Sequence, residues 1–95
     1  MTTYLERDAA LVRQCLPPGV VAPDDSDDLF LMYAVLLRAK GAGTEAADVH
    51  DAWSAWMIRI DPGHESIRPF ADLDPETRGE DGPYLLAIRA AAARS

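Results

Sequence analysis

The sequence has little cysteine, lysine or histidine and no long hydrophobic run. Its one cysteine, Cys15, closes no internal disulfide, which points to a reducing compartment such as the cytoplasm. Sixteen acidic residues stand against nine basic ones, only one of them a lysine, for a formal net charge of −7. A field of that sign repels phosphate backbones and anionic lipid, which argues against nucleic-acid and membrane partners. It leaves open a basic protein partner or a small ligand held in a local pocket. The longest apolar run, Leu29 to Leu37, is nine residues, far below the roughly 20 needed to cross a bilayer. The opening Met1 to Asp8 is polar and acidic, unlike a secretion signal. β-branched residues are sparse and never alternate with polar ones, so no strand is expected. No internal repeat or low-complexity linker interrupts the chain.

What is present describes one small helical domain over residues 1–95. Leu, Ile, Val and Phe supply 21 of the 95 residues, just above the level of about 20% at which a charged chain fails to fold. One core fits and a second does not, since a chain of this size buries only about two-thirds of its unfolded surface. Thr3-x-x-Glu6 has the form of a capping box. Leu5, Ala9, Val12 and Leu16 then recur at helical spacing, predicting a first helix over about 4–16 that Pro17-Pro18-Gly19 ends. Asp24, Asp25, Ser26, Asp27 and Asp28 precede the apolar run and read as the acidic, capped start of a second helix, about 27–40. A calcium loop would need glycine at its sixth position, where Leu29 stands. The second helix is apolar almost all round, which makes it the central element. Any flank left uncovered would become a homodimer interface.

Thr44 is placed to cap a third helix that carries Val49, Trp53, Trp56, Met57 and Ile60. Asp61-Pro62-Gly63 ends it. An irregular stretch follows, with Ile67, Phe70 and Leu73 as pegs. Asp74-Pro75 opens a short helical turn, and Gly82-Pro83 starts a last helix striped by Leu85, Ile88 and Ala92. The expected fold is therefore all-α, a small irregular or orthogonal bundle of four helices plus a short helical turn.

Little in this pattern is catalytic. His50 and His64 are the only histidines, and no second cysteine or His-Glu-x-x-His run completes a zinc site. Asp48 and His50 point to different faces of a helix, and His64 reads as a loop hydrogen-bonder. Ser26, Ser54, Ser66 and Ser95 lack a nucleophile elbow. Gly41-Ala42-Gly43-Thr44 lacks the spacing of a phosphate loop. The acid pairs Asp72/Asp74 and Glu80/Asp81 would act as acid and base only in a desolvated cleft, and read most simply as solvated charge. No catalytic residue, metal or cofactor is assigned. Trp53 and Trp56, three apart, both reach one side of the helix, and two indoles are a large load for so small a core.

The run from Val49 to Met57, with His64, Pro69-Phe70, Asp72-Leu73, Pro75-Glu76 and Glu80-Asp81, resembles the ryanodine-receptor-type repeat (the RYR domain). The matching stretches are His50 to Trp53, His64 to Phe70 and Leu73 to Asp81, within residues 45–93. That family's longer loop before its His-Pro segment is replaced here by Asp61-Pro62-Gly63, and Glu65 stands where its proline follows the histidine. The whole chain is also similar to small actinobacterial proteins of about this size. The resemblance implies a helical module that docks other domains. Some such modules are implicated in nucleotide binding, a site not carried over here because the loop is gone. Two functions are expected to compete: a non-catalytic protein-interaction module, and a sensor of a nucleotide-derived signal. Both would use a groove formed by Trp53, Trp56, Arg59, His64, Arg68 and Phe70, with Arg59 or Arg68 meeting an anion in the second.

Overall fold

Thr3 and Glu6 form the reciprocal cap that their spacing predicts. In the computed structural model, which describes residues 1–95, Thr3 Oγ1 accepts the Glu6 N–H at 3.1 Å and Glu6 Oε1 accepts the Thr3 N–H at 3.0 Å. They open α1, Tyr4–Gln14. Then come α2 (Asp27–Lys40), α3 (Ala46–Met57), the short α4 (Pro75–Gly79) and α5 (Gly82–Arg94), with single 3₁₀ turns at Gly41–Gly43 and Phe70–Asp72. The chain is all-α, four full helices plus a short one, and has no strand. No helix is long and apolar enough to cross a membrane.

α2 lies at the centre because its apolar residues cover most of its circumference. Leu29, Phe30, Tyr33, Ala34 and Leu37 are buried on it. Against them α1 lays Ala9 and Val12, α3 lays Val49 and Trp56, and α5 lays Ala87, Ile88 and Ala91. Ala87 and Ala91 stand one turn apart on the same face, so α5 packs closely against its neighbours. The Phe30 and Tyr33 rings meet edge to face at 5.5 Å. The opposite flank of α2 is only partly covered, with Val35 about half exposed.

The helix ends show where local signals and tertiary demands part. α1 stops at Gln14, two residues short of the expected end. α3 stops at Met57, and Ile58 to Ile60 form a turn beyond it. Thr44 does not cap α3. Its hydroxyl is fully buried and donates to Gly41 O at 2.8 Å, and the cap position falls to Glu45, whose N–H reaches Asp48 Oδ2 at 2.9 Å. Ser26 occupies the cap position of α2 but makes no cap bond, and its Oγ is buried without a partner. Asp74 caps α4 as expected, its Oδ1 accepting the Thr77 N–H at 2.7 Å. Gly41 ends α2 at φ 54, ψ −127, a conformation that side-chain-bearing residues avoid. Its turn lets the Lys40 ammonium reach both Asp48 oxygens at 3.0 Å.

Two arginines fix the parts of the second half. Arg89 of α5 donates twice to Thr44 O, at 3.1 and 2.9 Å, tying α5 to the start of α3. Arg78 donates to the carbonyls of Phe70 and Ala71. It thereby holds the segment from His64 to Leu73 as a strap whose 3₁₀ turn packs on α3. Leu73 is its buried peg.

Candidate binding site

Under the strap, α2, α3 and the start of α5 line a half-open cavity of about 260 Å³. Its wall includes Tyr33 from α2, His50 and Trp53 from α3, His64 from the strap, and Asp81 and Tyr84 at the start of α5. His50 and Trp53 are three apart on one helix face, and their rings stack at 5.6 Å with 23° between planes. His64 meets the other side of Trp53 edge-on at 5.1 Å. Its ring is oriented by Ser66, whose N–H donates to His64 Nδ1 at 3.0 Å. Tyr33 and Tyr84 lie 5.6 Å apart across the floor.

The chemistry centres on two buried polar side chains. His50 is 3% exposed and Asp81 is 8% exposed. His50 Nε2 lies 2.7 Å from Arg68 O. A carbonyl only accepts, so Nε2 carries a proton and donates it there. Nδ1 then faces Asp81 Oδ2 at 3.5 Å, beyond ordinary hydrogen-bond length. Burial, reinforced by the neighbouring Glu80, pushes the Asp81 carboxyl up to about 6, with His50 acting in the opposite direction. Burial first, and then the Asp81 charge, also raise both Tyr33 and Tyr84, so the two phenols keep their protons.

Asp81 sits at the cap position of α5 yet makes no cap bond. Its side chain turns inward to His50 instead. Asp81 is therefore buried, and its reading as solvated surface charge is corrected. The physical reason is that the Arg78 and Arg89 tethers bring the strap and α3 over the start of α5. Glu80, Asp81's neighbour, remains exposed.

Of the six residues expected to form one groove, the structure brings Trp53 and His64 together in the cavity wall. Phe70 stands behind them, its ring 6.1 Å from that of His50. Arg68 contributes its backbone carbonyl to His50, while its exposed side chain turns back to Glu65 O at 3.0 Å. Trp56 and Arg59 lie elsewhere, in an open groove with Met32 and the acids Asp24, Asp25 and Asp28. The two indoles do not share a side. Trp56 is buried in the core, while Trp53 faces the cavity under the strap. Tyr33, His50, Asp81 and Tyr84 were not among the expected site residues. The one local hint was an aspartate before Gly82-Pro83, a position where a cap is normal and its absence signals another partner. No group of three or more His, Cys, Asp or Glu is placed to hold a metal ion.

Fold and site together define a small all-helical protein with an acidic, aromatic-walled cavity and a buried His–Asp pair. The chain belongs to the family described as Domain of unknown function (DUF7701), whose profile matches residues 3–93. No curated protein and no solved structure matches the chain. The family unit thus takes in α1 and α2 together with the second half, so the segment from 45 to 93 is a part of that unit.

Proposed function

We propose that this chain is a non-catalytic recognition module of the cytoplasm that grips a group projecting from a partner protein in the cavity under the strap. The observation that carries the reading is the wall itself, where half-buried Trp53 and His64 line the same cavity as the largely buried Asp81 carboxylate. Aromatic anchors beside a few convergent polar groups are the usual make-up of a recognition pocket. The likeness of residues 45–93 to the ryanodine-receptor-type repeat supports the same reading, since such modules dock other domains. Against a nucleotide-derived signal stands the lining, which contains no lysine or arginine. Arg59 lies in the other groove and Arg68 is engaged with the strap.

A displayed peptide library selected against the purified protein tests the reading. Selected peptides should bind the wild type and Val35→Ser alike and lose binding to Trp53→Ala, with helicity and melting temperature checked for each variant. Selection of no peptide, or of peptides indifferent to Trp53, overturns it. A nucleotide panel read by melting temperature tests the alternative, because a ligand at a hundred times its dissociation constant adds about 2.7 kcal/mol. A second copy of the chain is the other partner worth testing, favoured by the open flank of α2 around Val35. Light scattering decides it, and a mass of 10.4 kDa at high concentration rules the dimer out.

A further inference from the structure

The charges around the cavity have one sign. Asp81 lines it and Glu80 stands at its edge, with Tyr33 and Tyr84 as neutral phenols and His50 and His64 as the only basic groups. The guanidinium groups nearby are committed to backbone carbonyls: Arg78 to Phe70 and Ala71, Arg68 to Glu65, Arg89 to Thr44. None is free to neutralise Asp81. The carboxylate has one protein partner, His50 Nδ1, and that at 3.5 Å. A carboxylate has about four acceptor sites, so one with a single long protein contact has acceptor capacity left for a ligand that enters the cavity. Nε2 of the same His50 ring is engaged with Arg68 O. The carboxylate thus keeps acceptor capacity that faces the cavity. Tyr33, Trp53 and Tyr84 give the wall its aromatic surface, with Pro23, Leu29, Ser66 and Thr77 completing it. At about 260 Å³ the cavity falls below the size of drug-sized pockets, about 300–1,000 Å³, and suits a single small group.

We infer that the cavity takes a protonated alkylammonium group, whose N–H donors meet the Asp81 carboxylate and whose carbons lie against Trp53, Tyr33 and Tyr84. The inference rests on the cavity being the recognition site, and names what enters it. Ammonium beside aromatic rings and a carboxylate is favoured twice, by ring quadrupole and by ion pairing in a partly dry site. The group is either the end of a partner's lysine side chain or a free small amine.

Three probes of nearly the same size and different charge test this: n-butylammonium, n-butanol and butyrate, added to the purified protein at neutral pH. The readout is the Trp53 indole N–H resonance in a heteronuclear NMR titration. Butylammonium should shift it saturably in the millimolar range, with butanol and butyrate at least about tenfold weaker. Asp81→Asn should erase that preference. Should this variant fold poorly, the three-probe comparison in the wild type still decides. Butanol or butyrate binding as tightly as butylammonium, or no shift with butylammonium, overturns the inference, while the peptide selection judges the recognition reading separately. Two further arms separate the sources, and each supports the inference: a lysine peptide binding more tightly than butylammonium identifies a partner side chain, and equal affinity identifies a free amine. A lysine peptide should lose the interaction once its amine is acetylated, and an acetylated peptide that binds equally well contradicts it.

Discussion

Around α1 and the body of α2 the buried side chains are almost all hydrocarbon, among them Ala9, Val12, Leu29, Phe30 and Leu37. Beside α3 and α5 a similar depth holds Thr44, His50 and Asp81. The first region is assembled from residues close in sequence and sealed by packing. In the second, polar groups from α3, the strap and α5 meet only after folding, held by Arg78 and Arg89. Hydrocarbon burial stabilises whatever it touches, whereas a buried carboxylate costs stability unless something satisfies it. The second region therefore gives up some stability to keep a charged group largely under cover, and that is where we propose the binding site.

Substitutions in the two regions should differ in size and in their dependence on pH. Phe30→Ala empties the centre of the hydrocarbon region and should cost about 3–5 kcal/mol, read by chemical denaturation and nearly constant between neutral and mildly acidic pH. His50→Ala leaves Asp81 buried without its partner and should cost about 3 kcal/mol at neutral pH. That loss should shrink on acidification as the carboxyl takes up its proton. A loss independent of pH would mean that His50 is merely packing.

The wild type carries a pH signature of its own. Asp81 binds its proton more tightly in the fold, at about 6, than in the unfolded chain, at about 4. Between those values the folded state holds more protons, so stability rises as pH falls through the window and is lost as pH rises. Asp81→Asn should flatten this dependence in a series of melting curves. Below that window the sign reverses. Glu6, Asp48 and Asp74 accept backbone N–H bonds that hold their carboxyls below the ordinary range, and protonating them removes stability. Thr3→Ala, which removes only the cap of α1, should cost about 1 kcal/mol and leave both the Asp81 window and the Trp53 resonance unchanged.

The same division governs what could be read from the sequence. Helix starts and stops were legible where the signal is local: Thr3 with Glu6, Asp74 with Pro75, Gly41 after Lys40. α2 was recognisable as the central helix from its unbroken apolar run. The cap expected at Thr44 was misplaced because burial draws its hydroxyl into a bond with Gly41 O, and Ser26 holds the cap position of α2 without making the cap bond. Of the candidate site, Trp53 and His64 were legible as an aromatic and a loop histidine with unused chemistry. Asp81 was not. Its meaning depends on His50 and on the strap's carbonyl at Arg68, groups far apart in sequence that no periodicity connects, and on a −7 chain one more acid carries no signal. Tyr33 was hidden inside the apolar run of α2, and Tyr84 stands next to the Leu85, Ile88 and Ala92 stripe without belonging to it.

Whether Asp81 is a covered carboxylate in a binding cavity can be measured without any ligand. Following the carboxyl-carbon NMR resonance of Asp81 across an acid titration gives its ionisation directly. A midpoint near 6, moving down when His50 is kept and Glu80 is changed to Gln, is the expected result. A midpoint at the ordinary carboxylate value of about 4 would place Asp81 in open solvent and contradict the cavity as the centre of this protein's chemistry.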